Sequence, residues 1–289
     1  MNMGTATAFE RPRFIAGTKF FSYSFLILLS AFCVFPFYIL LVNSTRMHAE
    51  IIKGFSAIPG SSFLQNLKGL LGDQNIPVIR ALANSVFIST CCAALTTYFS
   101  SMTAYGIYMY RFKVRSFAYN FIIVVMMVPT QVAALGFIRM IIEAKLLDTF
   151  WPLIIPAIAS PVVFFFMLQY MQSVLPFEIV ESARIDGANE FYTFNRIVMP
   201  ILSPAIAVQA IFSFVGNWNN YFLPALLLNS KNRKTIPVLI AQLRSADYLK
   251  FDYGKVYMMI CIAIVPLLLI YLILSRYIIR GVTMGSVKG

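Results

Sequence analysis

A single histidine, His48, and four cysteines, Cys33, Cys91, Cys92 and Cys261, are the whole stock of imidazole and thiol in this 289-residue chain. One histidine cannot build a multi-histidine metal site. The cysteines all fall inside apolar runs, where they read as small core residues and imply neither a disulfide framework nor a metal. No phosphate-binding GxxxxGK[ST] loop is present; Gly254-Lys255 lacks both the earlier glycine and the following Ser or Thr, so the chain is expected not to hydrolyse nucleotide itself. No nucleophile, base and acid can be assembled around one loop histidine, which leaves no catalytic residue and disfavours a membrane enzyme. Two kinds of chemistry remain. Neutral polar side chains stand within the apolar runs, among them Asn84, Gln131, Gln209, Asn217, Trp218 and Asn220. They suit either hydrogen bonding between membrane helices or a polar path for an uncharged, hydroxyl-rich solute. Trp218 and Tyr221 suit stacking on sugar rings or an interfacial aromatic belt.

The second kind is a charged cluster. Between residues 174 and 198 the charges return abruptly as Glu178, Glu181, Arg184, Asp186, Glu190 and Arg196. Glu181 to Ile185 reads as a short helix, with Ala183 and Ala188 small enough for close docking. Asp186-Gly187 marks a break, because glycine lets the backbone turn where other residues strain. Phe191, Phe194 and Ile197 then recur at helical spacing, and Pro200 suits the entrance of a following helix. The expected product is a helix–turn–helix knob.

The elements that carry these groups follow from the charge distribution. Apolar and aromatic residues make up 60% of the chain and charged residues only 12%, against about 25% charged in a soluble domain. That balance argues against a soluble enzyme. The net charge of +12 does not point to nucleic acid, because the basic residues flank apolar runs and so point to membrane lipid. Six long stretches hold no Asp, Glu, Lys or Arg: Lys19 to Arg46, Arg80 to Arg111, Arg115 to Arg139, Asp148 to Glu178, Arg196 to Lys231, and Lys255 to Arg276. The shortest of them contains 20 residues, enough for one bilayer-spanning helix. The fold class predicted is an all-α membrane protein with six transmembrane helices. The first run is longer than a signal-peptide core and lacks a small-residue cleavage site, so it reads as an anchor. No Asp, Glu, Lys, Arg or His lies within the spans, which speaks against a stand-alone ion-coupled carrier. No internal repeat is evident, which weakens an inverted-repeat transporter.

Six spans put both termini on one side. Arg11, Arg13 and Lys19, the loop residues Arg111, Lys113 and Arg115, and Arg276, Arg280 and Lys288 assign that side to the cytoplasm. The segment 229–255 then lies outside, although it carries Lys231, Arg233, Lys234, Arg244, Lys250 and Lys255.

The wording of the knob resembles the EAA signature of ABC importer permeases: EAA, three residues, Gly, nine residues, I-x-L-P. Here it runs Glu181-Ser182-Ala183, Gly187, then Ile197-Val198-Met199-Pro200, with Ser182 and Met199 as mild departures. The phrase Glu181 to Asn189 is similar to the carbohydrate-uptake branch, specifically its MalG-type inner-membrane subunits. Asn84-Ser85, Met127 to Gln131, Trp218-Asn219-Asn220 and the tail Gly281 to Gly289 fit the same branch. The resemblance implies a cytoplasmic segment over 1–19, a permease domain over 20–280 with its core at about 80–280, and a cytoplasmic tail over 281–289. It implies that the EAA loop seats in an ATPase subunit, through Glu181, Ser182, Ala183, Asp186, Gly187, Ala188, Ile197 and Pro200. It also implies half of a sugar or oligosaccharide pore in a bacterial plasma membrane, with a MalF-type partner permease, two ATPase subunits and an extracytoplasmic solute-binding protein. ATP and Mg belong to the ATPase, so this chain is expected to bind no cofactor. Lys231, Arg233 and Lys234 become candidates for contact with the binding protein. A non-sugar solute is the alternative cargo.

Overall fold

The computed structural model describes residues 14–244 and 252–285. Arg11, Arg13, Lys250 and the last residues of the tail, 286–289, lie outside the described residues. In chain order the helices are α1 (Phe14–Ser44), α2 (His48–Ile52), α3 (Phe63–Leu71), α4 (Val78–Met109), α5 (Arg115–Met126), α6 (Thr130–Glu143), α7 (Trp151–Ile154), α8 (Pro161–Val174) and α9 (Phe177–Ile185). They continue as α10 (Glu190–Tyr192), α11 (Met199–Ile201), α12 (Ser203–Trp218), α13 (Phe222–Leu227), α14 (Ile236–Arg244) and α15 (Tyr253–Gly285). Single 3-10 turns cover Ile155–Ile158 and Lys231–Arg233, and a π-helical stretch covers Thr193–Val198.

The chain divides into two compact units, one of residues 1–67 with 253–261 and the other of 68–252 with 262–289. In the first unit α1 exposes an apolar surface that includes Phe20, Phe21, Phe32 and Cys33, as a lipid-facing helix must. Cys33 therefore does not pack in a core as expected; Cys92 is buried, while Cys91 and Cys261 are half-buried. The turn after α1 is held by the buried Arg46, which donates to Asn43 Oδ1 at 3.1 Å and to the Glu50 carbonyl at 2.6 Å. Asn66 donates to the Ser44 and Arg46 carbonyls, both at 2.9 Å. Gly60 closes against this turn so tightly that a β-carbon there would stand 2.6 Å from the Thr45 carbonyl oxygen. His48 opens α2, stacks on Tyr253, and accepts the Tyr253 amide on Nδ1 at 3.0 Å.

The second unit is built around α4, which packs most extensively on α12 and α8. Its buried face consists of small and hydroxyl residues, including Ser85, Ser89, Cys92, Ala93, Thr96, Thr97, Ser100, Ser101 and Ala104. Small side chains let helices approach closely without a hydrophobic driving force from water. Several hydroxyls also fasten neighbours. Thr96 donates to the Ala157 carbonyl at 2.8 Å, Ser100 to Ser160 at 3.4 Å, and Ser85 Oγ accepts the Ile236 amide at 2.9 Å.

Four helices are long and apolar enough to cross a membrane, and the number reaches six if each of two bent pairs is one span. The expected third span breaks between α5 and α6 with a bend of 100°. Met127 and Val128 close tight i→i+3 bonds to Val124 and Val125, and Pro129 cannot donate to continue the ladder. The expected fifth span bends by 82° between Glu190–Ile201 and Ser203–Trp218. Pro200 is thus not at its entrance: it sits inside the approach helix α11, and Pro204 occupies the first turn of α12. A proline ring crowds the carbonyl four residues back, here that of Arg196, and the wider π turn over Thr193–Val198 accommodates it.

Candidate functional site

The knob begins with α9, whose buried residues Val180 and Ala183 recur at i, i+3. Ala183 accordingly faces its own chain and is not free to dock a partner, as the sequence reading had it. At the end of α9, Gly187 adopts φ +80°. The Gly187 amide bonds to Arg184 and the Ala188 amide to Ala183, each at 3.0 Å. This pair of bonds is the Schellman helix stop, which needs a left-handed residue and so favours glycine. Asn189 then caps the returning helix, its Oδ1 accepting the Tyr192 amide at 2.8 Å; a short polar side chain is the usual acceptor of such a cap.

The knob is tied to the end of α4. Arg184 Nε donates to Glu190 Oε1 at 2.7 Å, and Tyr105 OH donates to Glu190 Oε2 at 2.9 Å. The Arg184 guanidinium lies 5.3 Å from the centre of the Tyr110 ring. That hydrogen bond to Glu190 outweighs the effect of burial and raises the guanidinium pKa, so it stays charged. The return arm is anchored by Phe194, buried against Tyr98 and Tyr105. Phe191 is 71% exposed whereas Phe194 is 3% exposed. The π turn shifts the buried ridge to Phe194 and Val198, away from the expected Phe191, Phe194 and Ile197 face.

What the knob offers outward is Glu181, Ser182, Ile185 and Asp186. Glu181 and Asp186 are exposed and have no partner among the described residues, and Ile185 is 86% exposed. Ile185 escaped the sequence reading; an apolar residue wedged between Arg184 and Asp186 at a helix end is the signal that reveals it.

At the opposite end of α4 lies the loop before α14. Asn84 donates to the Asn232 carbonyl at 2.9 Å and the Lys234 carbonyl at 3.0 Å. Tyr105, which holds the knob, follows Asn84 by 21 residues on the same helix, about 32 Å at 1.5 Å per residue. That separation matches a hydrocarbon core of about 30 Å, the reach of one membrane-crossing helix. Asn84 thereby fastens that loop. Lys231 donates to the Gln74 carbonyl, and Arg233 pairs with Asp148 at 3.7 Å. Both cations thus brace the loop within the chain, although both remain exposed.

Asp148 is the centre of that brace. It holds a left-handed φ of 59° and accepts the amides of Asn229 and Ser230 at 3.0 and 2.9 Å, together with the Ser230 hydroxyl. Burial would raise its pKa, but these bonds and the Arg233 charge outweigh burial and hold the carboxyl below its ordinary value. A lowered folded pKa means the brace is at full strength above the ordinary carboxylate range and is lost as pH falls through the lowered value. Asp148→Ala is expected to weaken local protection of residues 229–235 by about 1.5–3 kcal/mol, the scale of hydrogen bonds to a charged group. Amide exchange measures it, and acidification of the wild type should reproduce the faster exchange.

Between the two ends lies a cavity of about 950 Å³, walled by α4, α6, the α7–α8 segment and α12. Gln209, Asn217 and Asn220 line it; Asn84, Gln131 and Trp218 do not. Trp218 is buried, stacked on Phe214 and packed with Ala93, and does not line the cavity. Ser213 and Gly216 complete the α12 wall. No lining residue is charged. Among the described residues no group of three or more His, Cys, Asp or Glu is placed to hold a metal.

Residues 96–284 match the family described as binding-protein-dependent transport system inner membrane component. The chain is 33% identical over 272 residues to the arabinooligosaccharides transport system permease protein AraQ of Bacillus subtilis (strain 168), covering 92% of this chain and 94% of that protein. It is 31% identical to the lactose transport system permease protein LacG of Rhizobium radiobacter, covering 92% and 95%. Its fold is similar to a chain in the crystal structure of a bacterial ABC transporter involved in the import of the acidic polysaccharide alginate. That match has a TM-score of 0.79 and 19% identity, and covers 94% of this chain and 99% of the other.

Proposed function

We propose, because the chain belongs to the family of inner membrane components of binding-protein-dependent transport systems, that it forms one half of a sugar-conducting pore driven by ATPase partners through the Glu181–Gly187 knob. Family membership makes it a multi-pass bacterial membrane permease of an importer and not an enzyme; ATP hydrolysis occurs in separate ATPase subunits. A partner permease, an ATPase and a binding protein complete such an importer in general terms. The finer reading is one MalF-type permease, two ATPase subunits that carry the ATP and Mg, and an extracytoplasmic binding protein.

The observation that carries the reading is the knob itself. Ser182, Ile185 and Asp186 project from a turn pinned by the left-handed Gly187, and Arg184, Glu190 and Tyr105 tie that turn to α4. An apolar tip ringed by unpaired carboxylates suits a cleft on a neighbouring protein. The permease domain is read over 20–280 with its core at about 80–280, which the family match over 96–284 supports. With the knob in the cytoplasm, both termini and the tail 281–289 share that side, and the braced loop at 229–234 faces the binding protein. Relatives named for arabinooligosaccharides and lactose support a saccharide as cargo. Purification in mild detergent followed by mass spectrometry tests the assembly. A second six-span permease and an ATPase should accompany the chain, and a chain that purifies alone contradicts the reading.

A further inference from the structure

We propose that this chain's own wall of the cavity holds a subsite for the hydroxyl groups of a neutral saccharide, centred on Gln209, Asn217 and Asn220. The inference rests on the reading of the chain as a sugar permease and adds to it where the sugar is held and which charge class is accepted.

The placement of the amides carries it. Gln209 is only 9% exposed, yet its side chain has no hydrogen-bond partner among the described residues and lines the cavity. Its amide atoms are not sealed off but open on the cavity, where they can pair with a bound hydroxyl. Asn217 spends one N–H on the Ser213 carbonyl at 2.8 Å, which leaves its side-chain carbonyl to the cavity. Asn220 lines the same wall without a side-chain bond. Gln209 and Asn217 lie two turns apart on one face of α12, about 12 Å along the axis, a span suited to more than one sugar ring. Ser89 and Thr235 also belong to the lining, but their hydroxyl oxygens are buried and unpartnered rather than open to the cavity. A carboxamide both donates and accepts, as a sugar hydroxyl does.

The charge class follows from what the wall lacks. Among the described residues, no Asp, Glu, Lys, Arg or His lines the cavity. A phosphate or carboxylate entering it would lose its hydration with no cation to replace it, a penalty far above that of a hydroxyl. The volume of about 950 Å³ lies at the upper end of the roughly 300–1,000 Å³ of small-molecule sites. It fits an oligosaccharide better than a single ring.

The test uses the complete importer in proteoliposomes, in a background where the four native cysteines are replaced. Gln209→Cys and, separately, Asn217→Cys are labelled with a small neutral thiol reagent. Lactose and arabinotriose serve as neutral probes, and lactobionate as an anionic counterpart of lactose. Expected is labelling of both positions that at least one neutral saccharide slows several-fold and lactobionate does not. Equal slowing by lactobionate overturns the charge class. Labelling that no saccharide slows, in a complex that imports lactose or arabinotriose, overturns the subsite while the sugar-permease reading stands. A cysteine that is never labelled in the assembled complex gives the cavity to the partner permease and also overturns it. Failure to import any saccharide counts against the sugar reading itself. In cysteine-intact importer, Gln209→Leu should raise KM for the neutral sugar about tenfold, the loss of one hydrogen bond to a buried group.

Discussion

Gly187→Asp is expected to abolish transport while the importer continues to hydrolyse ATP. The position has a φ of +80°, and a β-carbon there would meet nothing within 4 Å in the chain itself. The backbone cost is therefore conformational, about 1–2 kcal/mol for a non-glycine residue in the left-handed region, which the packed bundle can absorb. The larger effect lies outside the chain. A carboxylate added beside Asp186 changes the charge of the knob tip and alters the turn that presents Ile185. If that tip seats in an ATPase cleft, the two subunits hydrolyse without moving α4 and α12. Uptake and phosphate release are measured on the same proteoliposomes, and uptake is expected to fall at least 100-fold relative to hydrolysis, equivalent to about 2.7 kcal/mol of coupling. Normal transport by Gly187→Asp would sink the assignment of the knob. Gly187→Ala should show a milder form of the defect.

Phe194→Ala is expected to have the largest effect on stability. Its ring is buried against Tyr98 and Tyr105, with the Val198 and Leu202 ridge following it in the same core. Truncating a buried Phe costs about 3–5 kcal/mol. Phe191→Ala, three residues earlier and exposed, should change stability by less than about 0.5 kcal/mol. Thermal unfolding of the detergent-purified complex separates the two. Similar losses from both variants would mean that the buried ridge runs through Phe191 after all.

That contrast marks where one-dimensional reading ends. The Gly187 turn was legible because glycine is the residue a left-handed helix stop selects, and the spacing from Glu181 to Pro200 supplied its context. The six charge-free stretches located the membrane segments because a charge inside hydrocarbon is costly. Neither Pro129 nor Pro204 revealed that its segment bends by 100° or 82°, since a proline removes one donor without fixing the angle that follows. A period of 3.6 residues cannot anticipate a π turn, so Phe191 and Ile197 fell on the wrong face. Residue type alone also misplaced the polar groups. Asn84 and Gln209 are both amides in apolar runs, yet one ties a loop and the other faces a cavity. Trp218 suits a membrane interface by composition, but its position on α12 turns it onto Phe214. The shared face of Gln209, Ser213 and Asn217 was available from their i, i+4, i+8 spacing. Lys231 and Arg233 gave no sign of their partners, because Gln74 and Asp148 lie far away in sequence.

The brace at Asp148 and the tie at Glu190 give α4 a fixed attachment at each end. α4 also supplies hydroxyls to its contacts with the Ile155–Ile158 turn and with α14, and it forms part of the cavity wall. On the proposed reading, a displacement of the knob would reach the cavity through α4 as well as through the bent path from α11 into α12.

The most direct measurement is uptake of labelled lactose or arabinotriose into proteoliposomes holding this chain, its copurifying permease and ATPase, and a saccharide-loaded binding protein. The account predicts uptake that requires internal ATP and stops when this chain, the ATPase or the binding protein is omitted. Uptake by this chain alone, driven by an imposed proton or sodium gradient and indifferent to ATP, would contradict it.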